Sequence, residues 1–168
     1  DTGTLTVDSV TVTSTVDAST NDMPIGVAAT GDSLTVTGAD IGEASGTTGT
    51  GIAAAADVTL NVSESTLTGG VNGASGATPA YGIDAADGTT PDIDATTITG
   101  FEDVGVRVAD DTLSVTDGEI SDNGAAGVTD NGVSNASAQY DIDGTTIANN
   151  SNDGVALDQI GLVVTDAT

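Results

Sequence analysis

The sequence predicts an all-β solenoid, a rod of short stacked coils, and three observations carry that prediction. An apolar-x-apolar pair, followed five residues later by a third apolar residue, recurs along the chain, as at Tyr140/Ile142/Ile147. A glycine followed by a β-branched residue recurs between those copies, as at Gly154-Val155. The intervening stretches are Gly, Asn, Asp, Ser and Thr, the residues of turns. From Tyr140 to Leu162 the pattern restarts after 22 residues, and self-similarity at a fixed period marks a repeat architecture.

Taken in order, the first anchor reads Leu5/Val7/Val12, Leu34/Val36/Ile41, Leu60/Val62/Leu67, Ile93/Ile98 with Pro91 in the first slot, Leu113/Val115/Ile120 and Tyr140/Ile142/Ile147. Leu162/Val164 opens a seventh copy, cut off at Thr168. The second anchor alternates with it at Gly26-Val27, Gly51-Ile52, Gly82-Ile83, Gly105-Val106, Gly127-Val128 and Gly154-Val155. Both anchors are rich in β-branched residues with period-2 alternation, so each copy reads as two short strands. No window has a helical period. Ala53 to Ala56, the one run of strong helix formers, falls where the other copies read as strand.

Strands this short bury alternate side chains only by coiling, each coil stacked about 4.8 Å above the last. Two apolar columns follow: Val27, Ile52, Ile83, Val106, Val128, Val155, and Ala29, Ala54, Ala85, Val108, Leu157. These columns, running through the whole chain, resemble the right-handed parallel β-helix family, the superfamily of pectin and pectate lyases and their non-enzymatic relatives. The resemblance implies a right-handed coil, and the anchors count about six turns plus a truncated seventh. The 168 residues make one domain, residues 1–168, since each coil supports only its neighbours. Without an initiating Met, a signal peptide or a polar cap at either end, the chain reads as a segment of a longer polypeptide.

Charge bounds the partners. With 26 acidic residues, one Arg, no Lys and no His, the formal charge is −25. Disorder is disfavoured because 37% of residues are hydrophobic and recur in register. A folded surface this negative repels itself until salt shortens the screening length to about 3 Å. The composition therefore points to a halophile, and it disfavours nucleic acid and anionic membranes as partners. The absence of cysteine excludes disulfides and thiolate chemistry.

Stacking also predicts side-chain neighbours. Outward positions of the first strand read Thr6, Thr35, Asn61, Asp92, Ser114, Asp141 and Asp8, Thr37, Ser63, Asp94, Thr116, Asp143, with no two acids in consecutive coils. Interleaved hydroxyls relieve like-charge repulsion. Arg107, the single basic residue, falls beside Asp84 of the preceding coil and reads as a local charge neutraliser. Asn123 and Asn150 share one turn position and read as a short structural Asn ladder, a device of the family resembled. Asp32, Asp57, Asp87, Asp110, Asp111, Asp130 and Asp158 line the turn after each second strand. Such a ridge is either merely solvated or holds weakly bound Ca²⁺ or monovalent cations. Asp130 falls in an apolar column and is expected to swing outward. Sequons place glycosylation candidates at Asn135, Asn61 and Asn149.

The loops Thr13–Ile25, Gly42–Thr50 and Thr68–Tyr81 leave one corner and would form a side lobe, with a further enlargement from Asp130 to Gln139. Catalysis is disfavoured. A lyase wants a base and a cation beside the sugar carboxylate, and the one Arg faces an Asp. Asp92, Asp94, Asp141 and Asp143 could formally make a hydrolase pair, but the Gly-His-Gly and Arg-Ile-Lys motifs of polygalacturonase-like members are missing. Two classes remain. The first is a non-catalytic stalk or filament segment, on the surface of a halophilic archaeon or on a virion of its virus, whose ends meet either another copy end to end or flanking domains of the same chain. The second is an adhesin, or a receptor- or glycan-binding module of a fibre, using the side lobe. No cofactor is expected.

Overall fold

A computed structural model of the chain describes residues 4–8, 11–14, 25–43, 49–69, 80–109, 112–130, 139–158 and 161–168. The strands come in threes. β1 (Thr4–Asp8), β2 (Thr11–Ser14) and β3 (Ile25–Ala29) are followed by β4 (Ser33–Thr37), β5 (Asp40–Glu43) and β6 (Thr50–Ala54). Next come β7 (Thr59–Ser63), β8 (Thr66–Thr68) and β9 (Tyr81–Ala85), then β10 (Thr90–Asp94), β11 (Thr97–Thr99) and β12 (Val104–Val108). The last are β13 (Leu113–Thr116), β14 (Glu119–Ser121), β15 (Val128–Thr129), β16 (Gln139–Asp143), β17 (Thr146–Ala148), β18 (Val155–Ala156) and β19 (Gly161–Thr165). Every third strand pairs in parallel, giving one seven-stranded sheet from β1 to β19 and two six-stranded sheets, from β2 to β17 and from β3 to β18. We name them sheets A, B and C. The fold is an all-β parallel solenoid, with no helix among the described residues.

Three strands per repeat replace the expected two. The five-residue gap inside the first anchor conceals a corner. Gly38, Glu64, Ala95, Asp117, Gly144 and Asp166 all adopt positive φ, between 46° and 59°, and each turns the chain from sheet A toward sheet B. A left-handed conformation costs a non-glycine residue roughly 1–2 kcal/mol. The stack offsets it: Glu64 N–H donates to the Asp94 carbonyl at 3.1 Å, and Asp117 N–H to the Asp143 carbonyl at 3.0 Å.

The core follows the predicted columns. Leu34, Leu60, Leu113 and Tyr140 lie in register in sheet A, as do Val36, Val62, Ile93, Val115 and Ile142, and all are buried. Pro91 sits opposite Leu60, and the ladder to β13 begins one residue later at Asp92. The reason is chemical, since proline has no N–H to donate. Ile41, Leu67, Ile98 and Ile120 form the wall from sheet B; Val27, Ile52, Ile83, Val106 and Val128 form the wall from sheet C. Ala53 and Ala54 belong to strand β6: tertiary pairing overrides their helix propensity.

The glycine of the second anchor has a steric cause. A Cβ on Gly51 would stand 2.7 Å from the Gly82 carbonyl oxygen and 3.1 Å from Leu67 Cδ2. On Gly127 it would stand 2.6 Å from the Gly154 oxygen and 2.8 Å from Ile147 Cγ2. From Gly26 to Gly127 the position faces inward, where sheet C meets the apolar side chains of sheet B, and there is no room for a methyl group.

Candidate functional site

The described surface offers sheet faces, corners and two sheet ends. On the outer face of sheet A, the register places Asp92 against Asn61 and Ser114, and Asp94 against Ser63 and Thr116. Asp141 and Asp143 follow beside Ser114 and Thr116. Each acid thus has a hydroxyl or amide neighbour in the column, and Thr116 Oγ1 donates to Asp94 Oδ1 at 3.0 Å. Asp94 and Asp143 sit two strands apart, about 9.6 Å, and all four carboxylates are exposed. The face is an acidic, hydroxyl-spaced plane.

On sheet C, Arg107 stands directly beside Asp84. Its Nε donates to Asp84 Oδ1 at 2.8 Å and its Nη2 to Oδ2 at 2.7 Å, a forked pair. The guanidinium also lies 4.1 Å from the centroid of the Tyr81 ring. With side-chain exposures of 25% and 27%, screening holds such a pair to about 0–1 kcal/mol. Tyr81 is buried beneath it beside Val104 and Ala126. Burial pushes the Tyr81 phenol above its ordinary pKa, Arg107 pulls it back down, and Asp103 and Asp84 push it up.

Asn123 and Asn150 are joined. Asn150 Oδ1 accepts from both the N–H and Nδ2 of Asn123, at 3.1 and 2.9 Å, and Asn150 Nδ2 donates to the Ile120 carbonyl at 3.2 Å. Asn123 Oδ1 accepts from Phe101 N–H at 3.1 Å. Phe101, itself buried, thus ends the amide ladder. The corner from sheet A to sheet B carries a second ladder, which the sequence did not reveal. Ser65 Oγ accepts from Ala39 N–H at 3.1 Å and donates to the Ser63 carbonyl at 2.7 Å. Thr96 and Thr145 repeat the arrangement with Ser65 and Gly118 N–H and with the Asp94 and Asp143 carbonyls. All three hydroxyl residues are buried; in a chain crowded with Ser and Thr nothing local distinguishes them.

Asp130 corrects an expectation. It does not swing out: it is only 2% exposed and accepts a hydrogen bond from Asp158 N–H. The apolar column is interrupted by a carboxylate with backbone for a partner, which is how a buried acid is tolerated. The remaining ridge residues Asp32, Asp57, Asp87 and Asp158 are exposed, and Asp57 N–H donates to the Asp87 carbonyl at 3.1 Å. Asp110 and Asp111 lie outside the described residues. Among the described residues no group of three or more Asp, Glu, His or Cys side chains is gathered as a metal site. Asn61 lies on β7 and Asn149 is an exposed corner residue at φ 57°; Asn135 lies outside the described residues. So do most of the excursions that would form the side lobe and the enlargement after Asp130.

Among the described residues, the large apolar side chains that are exposed lie at the two ends of sheet A. Leu5 on β1 is 45% exposed, and Leu162, Val163 and Val164 on β19 are 45%, 42% and 52% exposed. Both strands are sheet edges, with one row of backbone N–H and C=O groups unpaired by the sheet. No protein-family model, no curated protein and no solved structure matches the chain.

Proposed function

We propose that this chain is a non-catalytic structural segment of an extracellular halophilic surface protein or virion fibre, a stiff acidic rod that extends by end-to-end stacking. In this reading the coil is right-handed, with six turns and a truncated seventh, as in the pectin-lyase-like proteins it resembles. The preference of parallel crossovers for the right-handed path, about 98% of cases, supports that hand. The observation that carries the reading is the continuous parallel stack, a sheet A of seven strands whose outer face alternates carboxylates with hydroxyl and amide side chains. The charge of −25 makes association conditional on salt.

The test is negative-stain imaging with light scattering in about 1 M salt, where the screening length is about 3 Å, and in about 0.1 M salt, where it is about 10 Å. Fibres at high salt that dissolve into single particles at low salt are expected. Monodisperse particles at every salt concentration refute the filament reading. Activity on an acidic polysaccharide, abolished by Asp92→Asn or Asp141→Asn, would refute the non-catalytic one.

A further inference from the structure

We infer that Asn123-Gly124, at the corner from sheet B to sheet C, is a modification site that the fold keeps shut. When this corner opens, Asn123 deamidates through a succinimide, and the product cannot rebuild the amide ladder. The ladder is thus the place where a passing unfolding event becomes permanent.

The stack requires both residues of the pair. Asn123 is 1% exposed and must accept and donate at once. Its Oδ1 accepts from Phe101 N–H at 3.1 Å in the coil before it, and its Nδ2 donates to Asn150 Oδ1 at 2.9 Å in the coil after it. A carboxamide offers both functions; a carboxylate offers only the first. Gly124 passes close to the preceding coil, where a Cβ would stand 2.7 Å from the Glu102 carbonyl carbon and closer still to its oxygen. A hydrogen-bonding requirement at one position and a steric one at the next therefore write Asn-Gly into the chain. In that dipeptide the succinimide forms most readily, because glycine has no side chain to shield the attacking nitrogen.

In the reaction the Gly124 amide nitrogen gives its proton to solvent and bonds to Asn123 Cγ. The Cγ–Nδ2 bond breaks, and Nδ2 leaves as ammonia with a proton from water. Water then opens the ring at either carbonyl, leaving aspartate or isoaspartate, with nothing oxidised or reduced. The folded corner blocks the first step twice. Gly124 N–H donates to the Phe101 carbonyl at 2.8 Å, so its proton is withheld from solvent. Both ends of the Asn123 carboxamide are engaged, which stops Cγ from turning toward the Gly124 nitrogen. Neither product fits the ladder afterwards. An aspartate sets a carboxylate oxygen against Asn150 Oδ1, two acceptors with no proton between them, and buries a charge. Asn150 cannot answer by turning its amide over, because Oδ1 also accepts from Asn123 N–H and Nδ2 donates to the Ile120 carbonyl. An isoaspartate further lengthens the backbone by a methylene group, displacing Gly124 N–H from the Phe101 carbonyl.

The test compares the chain folded in about 1 M salt with the same chain unfolded by urea at that salt, both at mildly alkaline pH. Tandem mass spectrometry of peptides and isoaspartyl methyltransferase labelling follow each site. Unfolded, Asn123 should deamidate alongside the other two Asn-Gly pairs, Asn72-Gly73 and Asn131-Gly132. Folded, it should slow on the order of a thousandfold, the reciprocal of an unfolded fraction of about 10⁻³. A folded rate within a few-fold of the unfolded one overturns the inference. Asn150→Ala, which removes the acceptor, should speed the folded reaction, and Asn150→Asp, which keeps an oxygen there, should speed it less. Equal folded rates in the parent and Asn150→Ala overturn the ladder as the guard; should Asn150→Ala fail to fold, the parent comparison decides alone. Asn123→Asp, the product made directly, should unfold at a lower urea concentration than the parent. An unchanged midpoint overturns the claim that the modification is permanent in its effect.

Discussion

Gly127→Ala should destabilise the solenoid while Gly154→Ala, one coil further along the same column, should not. The contrast is worked from the space each methyl group would enter. At Gly127 the new Cβ meets the Gly154 carbonyl oxygen at 2.6 Å, Ile147 Cγ2 at 2.8 Å and Asn150 Nδ2 at 2.9 Å. Two of these contacts belong to backbone and to the amide ladder, neither of which can yield without losing hydrogen bonds. Val128 N–H donates to that same Gly154 carbonyl at 3.0 Å. Overpacking of this kind typically costs about 1–3 kcal/mol. At Gly154 the nearest atom is Ile147 Cγ2 at 3.5 Å, an ordinary contact. Replacing glycine there restricts the unfolded chain and stabilises by about 0.4–1 kcal/mol. The assay is urea unfolding followed by far-UV circular dichroism at constant molar salt, since the chain has no Trp. Gly127→Ala should lower the midpoint with the slope unchanged, and lower Tm by roughly 2–12 °C at this chain length. Equal losses in the two variants, or a neutral Gly127→Ala, would refute the steric account of the column.

Two further outcomes follow from buried ionisable groups. Tyr81 should ionise above the ordinary phenol range, read as phenolate absorbance in the difference between the parent and Tyr81→Phe. Arg107→Met should push it higher still, because the guanidinium is what pulls it down. A phenol held protonated by the folded state binds more protons there than when unfolded. Its contribution is therefore intact below the ordinary value, about pH 10, and lost as pH rises through the raised one. A normal or lowered Tyr81 titration would contradict the burial that drives the shift. Asp130→Ala should lose about 1–3 kcal/mol in urea, because Asp158 N–H loses its acceptor. Asp130→Asn, which keeps an oxygen there, should lose less; an Ala variant as stable as the parent would mean the carboxylate is dispensable.

How far the sequence could be read depends on how many coils repeat a requirement. The columns through Ile52 and Leu60 were legible because every coil must supply an apolar residue there or open the core. The pairing of Arg107 with Asp84 follows from the same columns. The sheet A to sheet B corner was not legible. Its left-handed residue is Gly38 in one coil, Glu64 in another and Ala95 in a third, so no residue preference marks it. Hydrogen bonds to the neighbouring coil hold the conformation, and they exist only once the stack has formed. Hence two strands were expected where three occur. The Ser65, Thr96 and Thr145 ladder was hidden for a related reason: its residues are the same types, Ser and Thr, as the exposed hydroxyl residues around them.

From composition and spacing alone came the solenoid, its parallel columns and the acid–hydroxyl alternation on sheet A. These are one-dimensional properties, and a period in the chain becomes a column in space by stacking alone. Burial of Asp130, the exclusion of a methyl group at Gly127 and the hydroxyl ladder of Ser65, Thr96 and Thr145 required the tertiary structure. Each depends on how far apart two non-repeating atoms lie in neighbouring coils, a distance that a recurrence in the sequence does not encode.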